Sequence, residues 1–181
     1  MFESYYERFA KLFKLKKELG LVNVKEGLMH PKNRVLNLAK FALDNGALSL
    51  HYFAFLPAIE LLASDKQRDY WVRKTHNMEI TGAYVQTELG HGSDVSSLKT
   101  TVTYDPITKD FVINTPTLDA TKFWPGGLGK TANTIVLYAR LISNGRDHGV
   151  QAFIVQIRDY VTHQPLQGIY VGDIGEKLGF R

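Results

Sequence analysis

Leu98-Lys99-Thr100-Thr101-Val102-Thr103-Tyr104-Asp105-Pro106-Ile107-Thr108-Lys109-Asp110-Phe111-Val112-Ile113-Asn114-Thr115 alternates β-branched and aromatic residues with polar ones. That period of two predicts strands over Lys99–Tyr104 and Asp110–Thr115. Tyr104 to Phe111 is then a hairpin connection, with Pro106 in a turn position. Further along, Asn133–Leu141 and Val150–Ile157 repeat the strand pattern, and the change of pattern begins near Glu79.

Upstream of Glu79 the period is helical. Phe2, Tyr5, Tyr6, Phe9, Leu12 and Phe13 recur at helix spacing and predict an amphipathic helix that stops near Gly20. A second helix follows Pro31, with Val35, Leu36, Leu38, Ala39, Ala42 and Leu43 inward, and ends at Asn45-Gly46. Leu48–Leu62 is apolar nearly all round and predicts a buried helix kinked at Pro57. Ser64 then caps a short helix through Asp65, Arg68, Tyr70, Trp71 and Val72. The fold class is therefore α+β: a helical domain over residues 1–79, then a β domain over residues 80–181, expected as an antiparallel barrel or sandwich.

Composition bounds the chemistry. The chain has 181 residues, 44% of them hydrophobic, which is enough for a core. Without cysteine it has no disulfide, thiolate metal site or cysteine nucleophile. The net charge of +4 is mild, and Lys11, Lys14, Lys16 and Lys17 read as a solvated helix face. No basic patch interleaved with aromatics argues for nucleic acid. The apolar stretch Ala47–Ala63 carries His51, Pro57 and Glu60 and falls short of the roughly 20 residues a membrane span needs. The N-terminus, with Glu3 and Glu7 among aromatics, has no apolar core of a secretory signal.

Two glycine loops concentrate the remaining signal. Thr87-Glu88-Leu89-Gly90-His91-Gly92-Ser93-Asp94 packs hydroxyls, acids and glycines together, and Lys122-Phe123-Trp124-Pro125-Gly126-Gly127-Leu128-Gly129-Lys130 sets an indole and a proline against adjacent glycines. Glycine permits a close backbone approach to a ligand, though it also makes ordinary turns. A phosphate-binding reading of Gly126 to Thr131 fails, because Trp124 stands where that motif needs its first glycine, and a β-branched run follows in place of a helix. His30, His51, His76, His91, His148 and His163 have no ligand spacing on a common helix, so no metal site is expected. Ser93, His91 and Asp94 lie too close in sequence for a hydrolytic triad, and no nucleophile elbow is present.

Together with the hairpin and the late run Gly168-Ile169-Tyr170-Val171-Gly172-Asp173-Ile174-Gly175, the two loops resemble the acyl-CoA oxidase family, from about Phe41 onward. Thr-Glu-Leu-Gly-His-Gly and Trp-Pro-Gly-Gly resemble the oxidase forms of these loops rather than those of the related dehydrogenases. The resemblance implies an acyl-CoA dehydrogenase-like fold with FAD between the β domain and a later helical domain. It also implies α,β-desaturation of fatty acyl-CoA to trans-2-enoyl-CoA with O2 reduced to hydrogen peroxide, in a peroxisomal homodimer. Thr87, Gly92, Trp124, Pro125, Gly126 and Gly127 would then face the flavin, and Ser93 the acyl-CoA. The family's catalytic base is a glutamate in the later helical domain, so no catalytic residue is expected in this chain. Glu88 belongs to the cofactor loop. The chain is expected to be incomplete at the start of its helical domain and at the end of its β domain. A rival expectation is a non-catalytic scaffold or interaction subunit that kept this part of the fold.

Overall fold

The computed structural model describes residues 49–175 together with Glu7, Lys11, Lys14 and Glu18. The chain divides into two units, residues 1–80 and residues 81–181.

In the first unit Glu7, Lys11, Lys14 and Glu18 are helical and exposed. Their spacing puts them on one face, as a solvated face requires. The apolar positions expected between Phe2 and Phe13, and the helix expected from Pro31 to Gly46, lie outside the described residues. The helix expected over Leu48–Leu62 is irregular just before Pro57. A π-helical turn, His51–Phe55, runs into α1, Leu56–Leu62. Leu56 donates its N–H to the His51 carbonyl five residues back. Pro57 has no N–H with which to continue a four-residue ladder at that point, and the wider turn precedes it.

Helix α2 spans Asp65–His76, one turn longer than the spacing predicted. At its start the Ser64 N–H and hydroxyl both donate to Gln67 Oε1, at 3.2 and 2.8 Å, a capping box. Asp65 in the first turn and Arg73, Lys74 and His76 in the last match the helix dipole. α1 packs on α2, with Phe55, Leu56, Ile59 and Val72 buried. No helix among the described residues is long and apolar enough to cross a membrane.

The second unit is one five-stranded sheet: β1 Gly82–Val85, β2 Thr101–Tyr104, β3 Phe111–Asn114, β4 Thr134–Ser143 and β5 Arg146–Gln156. β4 is central. β5 lies antiparallel along one edge, joined through Asn144 and Gly145, whose φ angles of 51° and 71° suit a tight hairpin turn. The other edge is shared. β1 runs parallel to Thr134–Leu137, and β2 runs parallel to Arg140–Ile142. β3 closes the order, antiparallel to β2.

The expectation of an antiparallel barrel is thus corrected: among the described residues the sheet is open and mixed. The reason lies in the segment 86–100. It does not reverse the chain but carries it forward along the same edge of β4, so β1 and β2 both run with β4. The core is built by the period of two. Ala83, Val85, Val102, Ile135, Leu137, Ala139 and Ile157 are buried together, with Leu128, Phe153, Val155, Ile169 and Val171 packed against them. Residues 125–132 and 166–171 therefore contribute to one apolar core with the strands. Strand β1 was missed by pattern because it is only four residues long and begins Gly-Ala, both poor strand formers.

Candidate functional site

The two glycine loops meet. Leu89 donates its N–H to the Thr121 carbonyl at 2.8 Å, Phe123 donates to the Thr87 carbonyl at 3.0 Å, and Glu88 bridges Lys122 in antiparallel fashion. The chain also doubles back on itself at Glu88 and His91, whose N–H and carbonyl groups pair at 3.2 and 3.3 Å. Gly90 donates to the Asp119 carbonyl at 2.8 Å. A short ladder therefore zips residues 87–89 to residues 121–123, and the β2–β3 hairpin is the excursion between them.

Side chains alternate along such a ladder. Glu88 and Lys122 point inward as a cross-strand pair, with 0% and 10% of their side chains exposed. Both carboxylate oxygens and all three ammonium protons have partners. Glu88 Oε2 accepts the Lys99 N–H at 2.9 Å. Its Oε1 accepts the Thr100 N–H at 2.9 Å, the Thr100 hydroxyl at 2.6 Å and the Lys122 ammonium at 3.1 Å. Lys122 Nζ also donates to the Gln86 carbonyl at 2.9 Å and the Tyr138 carbonyl at 2.7 Å. Tyr138 lies between the part of β4 paired with β1 and the part paired with β2. The ammonium fills the break that the shared edge leaves.

Burial pushes the Glu88 carboxyl up, but the hydrogen bonds from Thr100, Lys99 and Lys122 outweigh it and hold the group below the usual carboxylate range. Burial likewise pulls the Lys122 ammonium below the usual lysine range, against the pull of Glu88. With none of its side chain exposed, this carboxylate has no surface through which to reach a substrate proton.

The opposite face presents the residues picked from sequence. The half-buried Thr87 hydroxyl has no hydrogen-bond partner among the described residues. Gly92 lies beside it: a Cβ there would meet only the Thr87 methyl, at 3.8 Å. No crowding inside the chain demands glycine at position 92, and a side chain there would fill the space beside Thr87. Trp124 follows the ladder with φ of 58° and is 66% exposed, a left-handed backbone that a bulky residue adopts only under constraint. Pro125 accepts the Leu128 N–H at 3.3 Å. The N–H groups of Gly92, Trp124, Gly126 and Gly127 donate to no acceptor among the described residues.

Gly127 has a conformational reason of its own, φ of 80°, and its carbonyl accepts the Thr131 and Ala132 N–H groups at 2.9 and 2.8 Å. Ser93 is exposed on the outer bend, and its carbonyl accepts the Val95 N–H at 3.0 Å. Beneath the second loop the buried Arg158 donates to the carbonyls of Ala132, Leu128 and Gly129 at 3.1, 3.3 and 3.0 Å. No helix follows Lys130-Thr131; the chain enters β4 directly, which is not the geometry of a phosphate-binding loop.

Sequence reasoning did not assign Glu88, Lys122 and Arg158 these roles. The pairing of positions 88 and 122 depends on register across 34 residues. The available signal was a lysine flanked by Thr121 and Phe123, a charge on the inward side of an extended stretch. Among the described residues no three His, Asp or Glu side chains gather as a metal ion would need.

The site's polar groups suit a flat heterocycle with ring carbonyls: outward amides, one free hydroxyl, an exposed indole and room beside Gly92. The family model for the acyl-coenzyme A oxidase N-terminal region matches residues 1–81. The chain is 45% identical to peroxisomal acyl-coenzyme A oxidase 1 of Arabidopsis thaliana over 179 residues, 99% of this chain and 26% of that protein. It superposes on the crystal structure of an acyl-CoA oxidase from tomato with a TM-score of 0.85, 43% identity and coverage of 96% of this chain and 25% of that one. Acyl-CoA oxidase-1 of Caenorhabditis elegans, solved with FAD and ATP, superposes with a TM-score of 0.83 at 36% identity, over 96% of this chain and 26% of that one. The chain thus spans about a quarter of the length of the relatives it matches.

Proposed function

We propose that this chain, which belongs to the acyl-CoA oxidase family and corresponds to its N-terminal portion, forms the flavin- and substrate-facing front of a fatty acyl-CoA oxidase. The observation that carries this reading is the outward face of the zipped loops: a free Thr87 hydroxyl, open space at Gly92 and an undirected Gly126 amide beside an exposed indole.

Thr87, Gly92, Trp124, Pro125, Gly126 and Gly127 would hold FAD. The hydroxyl and amides would donate to ring carbonyls, and Trp124 and Pro125 would wall the ring off from water. Ser93, one bend further out, would touch the acyl-CoA. When bound, the flavin supplies the two-electron chemistry that desaturates the acyl-CoA between Cα and Cβ and passes the electrons to O2 as hydrogen peroxide. The protein's part is to fix the ring and tune it through these donors. Removal of the α-proton would fall to a base outside this chain, in keeping with the complete burial of the Glu88 side chain. Peroxisomal residence and a homodimer complete the reading; the name of the Arabidopsis relative supports the first, and the second is carried by the family alone.

The test is direct. Protein expressed from the whole reading frame should purify with oxidised-flavin absorbance and release peroxide from fatty acyl-CoA. Protein that binds no FAD and makes no peroxide would leave the scaffold reading in its place.

A further inference from the structure

We propose that Lys122 is a positioning residue: anchored on the buried Glu88 carboxylate, it fixes the left-handed backbone of Trp124 and so sets where the indole and the Gly126 amide meet a bound ring. The identity of that ring rests on the flavin reading above; the mechanics of the loop do not.

Trp124 is suspended between two anchors. On one side stand Lys122, with three acceptors at 2.7 to 3.1 Å, and the Phe123 N–H, which donates to the Thr87 carbonyl at 3.0 Å. On the other stands the Gly127 turn, whose carbonyl gathers the Thr131 and Ala132 N–H groups. The Trp124 N–H itself donates to no acceptor among the described residues, and a φ of 58° is unfavourable for a residue of this size. A conformation of that kind persists only where its surroundings impose it.

The lysine is suited to impose it. An ammonium has three protons, and all three are committed, to Gln86, Glu88 and Tyr138. The three acceptors belong to different parts of the unit: the exit of β1, the first glycine loop and the centre of β4. Lys122 thus ties the second loop to the sheet at a single point two residues before the indole. The Glu88 side chain is fully buried, the Lys122 side chain is 10% exposed and all three protons of its ammonium are taken up inside the unit, so the influence of the pair on the ring passes through Phe123 and Trp124.

The experiment uses the whole-reading-frame protein. Its readouts are flavin affinity and the motion of Trp124, taken as the difference between the anisotropy decay of each protein and that of its Trp124→Phe counterpart, because other tryptophans such as Trp71 also emit. The double variant Glu88→Gln/Lys122→Met removes both charges together and leaves no buried ion unpaired. The proposal expects the double variant to keep its far-UV circular dichroism, to gain a nanosecond component in the Trp124 anisotropy decay and to bind FAD about tenfold more weakly. A pair that only stabilised the fold would lower the unfolding midpoint and leave both readouts unchanged, and that result overturns the proposal. Wild-type protein that binds no FAD would sink the functional reading while the anisotropy still decides this one. If the double variant does not fold, hydrogen exchange on the wild type decides: Leu89, Phe123 and Thr100 amides should open as one unit. A Phe123 amide exchanging about 100-fold faster than Thr100 would refute the anchor.

Discussion

The Lys122 ammonium stands 2.7 Å from the Tyr138 carbonyl oxygen, in the gap on the edge of β4 between the residues paired with β1 and those paired with β2. A side chain from a loop does there what a strand amide does elsewhere, and the sheet's break and the loop's anchor are one feature. The energetics of the unit turn on it.

Replacing one member of this pair should be costly. In Glu88→Gln the carboxamide can accept at one atom only, and its NH2 faces donors from Lys99, Thr100 or Lys122. Lys122 is left as a buried cation with no counter-charge. The expected loss is about 3–5 kcal/mol of unfolding free energy, measured by urea denaturation at neutral pH. A loss under about 1 kcal/mol would show that water or a local shift rescues the site.

Acid should remove the same stabilisation. The Glu88 carboxyl in the folded protein lies below its ordinary value, so the native state binds fewer protons than the unfolded chain in the acid range. Its contribution is fully present above the ordinary carboxylate range and is lost as the pH falls through the folded value. Urea midpoints of the wild type and Glu88→Gln should therefore converge as the pH is lowered from about 6 to about 3. A constant gap across that range would assign the effect to packing and not to charge.

Gly129 and Gly90 should respond differently to alanine. A Cβ on Gly129 would stand 2.8 Å from the Gly172 carbonyl oxygen and 3.1 Å from the Asp173 Cα, both backbone. A Cβ on Gly90 would meet the Asp119 Cβ and carbonyl oxygen at 3.2 Å each, a milder overlap that a shift of a few tenths of an ångström relieves. Gly129→Ala is expected to cost about 1–3 kcal/mol, and Gly90→Ala clearly less, in parallel thermal melts. The reverse order would contradict the packing of residues 172–173 over the second loop.

Trp124→Gly should separate stability from binding. The indole is 66% exposed, so little burial is lost, and glycine accepts a φ of 58° without penalty. The melting temperature should hold or rise, by up to roughly 1 kcal/mol of relieved strain, while FAD titration shows weaker binding. A destabilised variant would mean that the indole packs more than its exposure suggests.

Much of the fold was legible in local pattern. The β2–β3 hairpin, the Ser64 cap and the long alternating stretches of β4 and β5 all follow from periodicities of two or 3.6 and from turn chemistry. What failed to show were features settled at a distance. The strand expected from Lys99 begins at Thr101, because the Lys99 and Thr100 amides turn to the Glu88 carboxylate and not to a neighbouring strand. β1 is a strand because β4 lies beside it, not because Gly-Ala-Tyr-Val favours one. The glycine loops were visible as loops, but the inward pair that joins them was not. Its two members carry no local signature, only a register.

The shared edge of β4 also governs the order in which this unit can be made. Gly82 pairs with Thr134, 52 positions later, so a ribosome adding about 5–20 residues per second leaves β1 without its neighbour for roughly 3–10 s. The β2–β3 hairpin can close in that interval, since its partners are consecutive. Glu88 and Lys122 are also synthesised before Tyr138 arrives to complete their site. The nascent unit therefore passes through a stage in which a buried charge pair must wait, still hydrated, for the strand that will cover it.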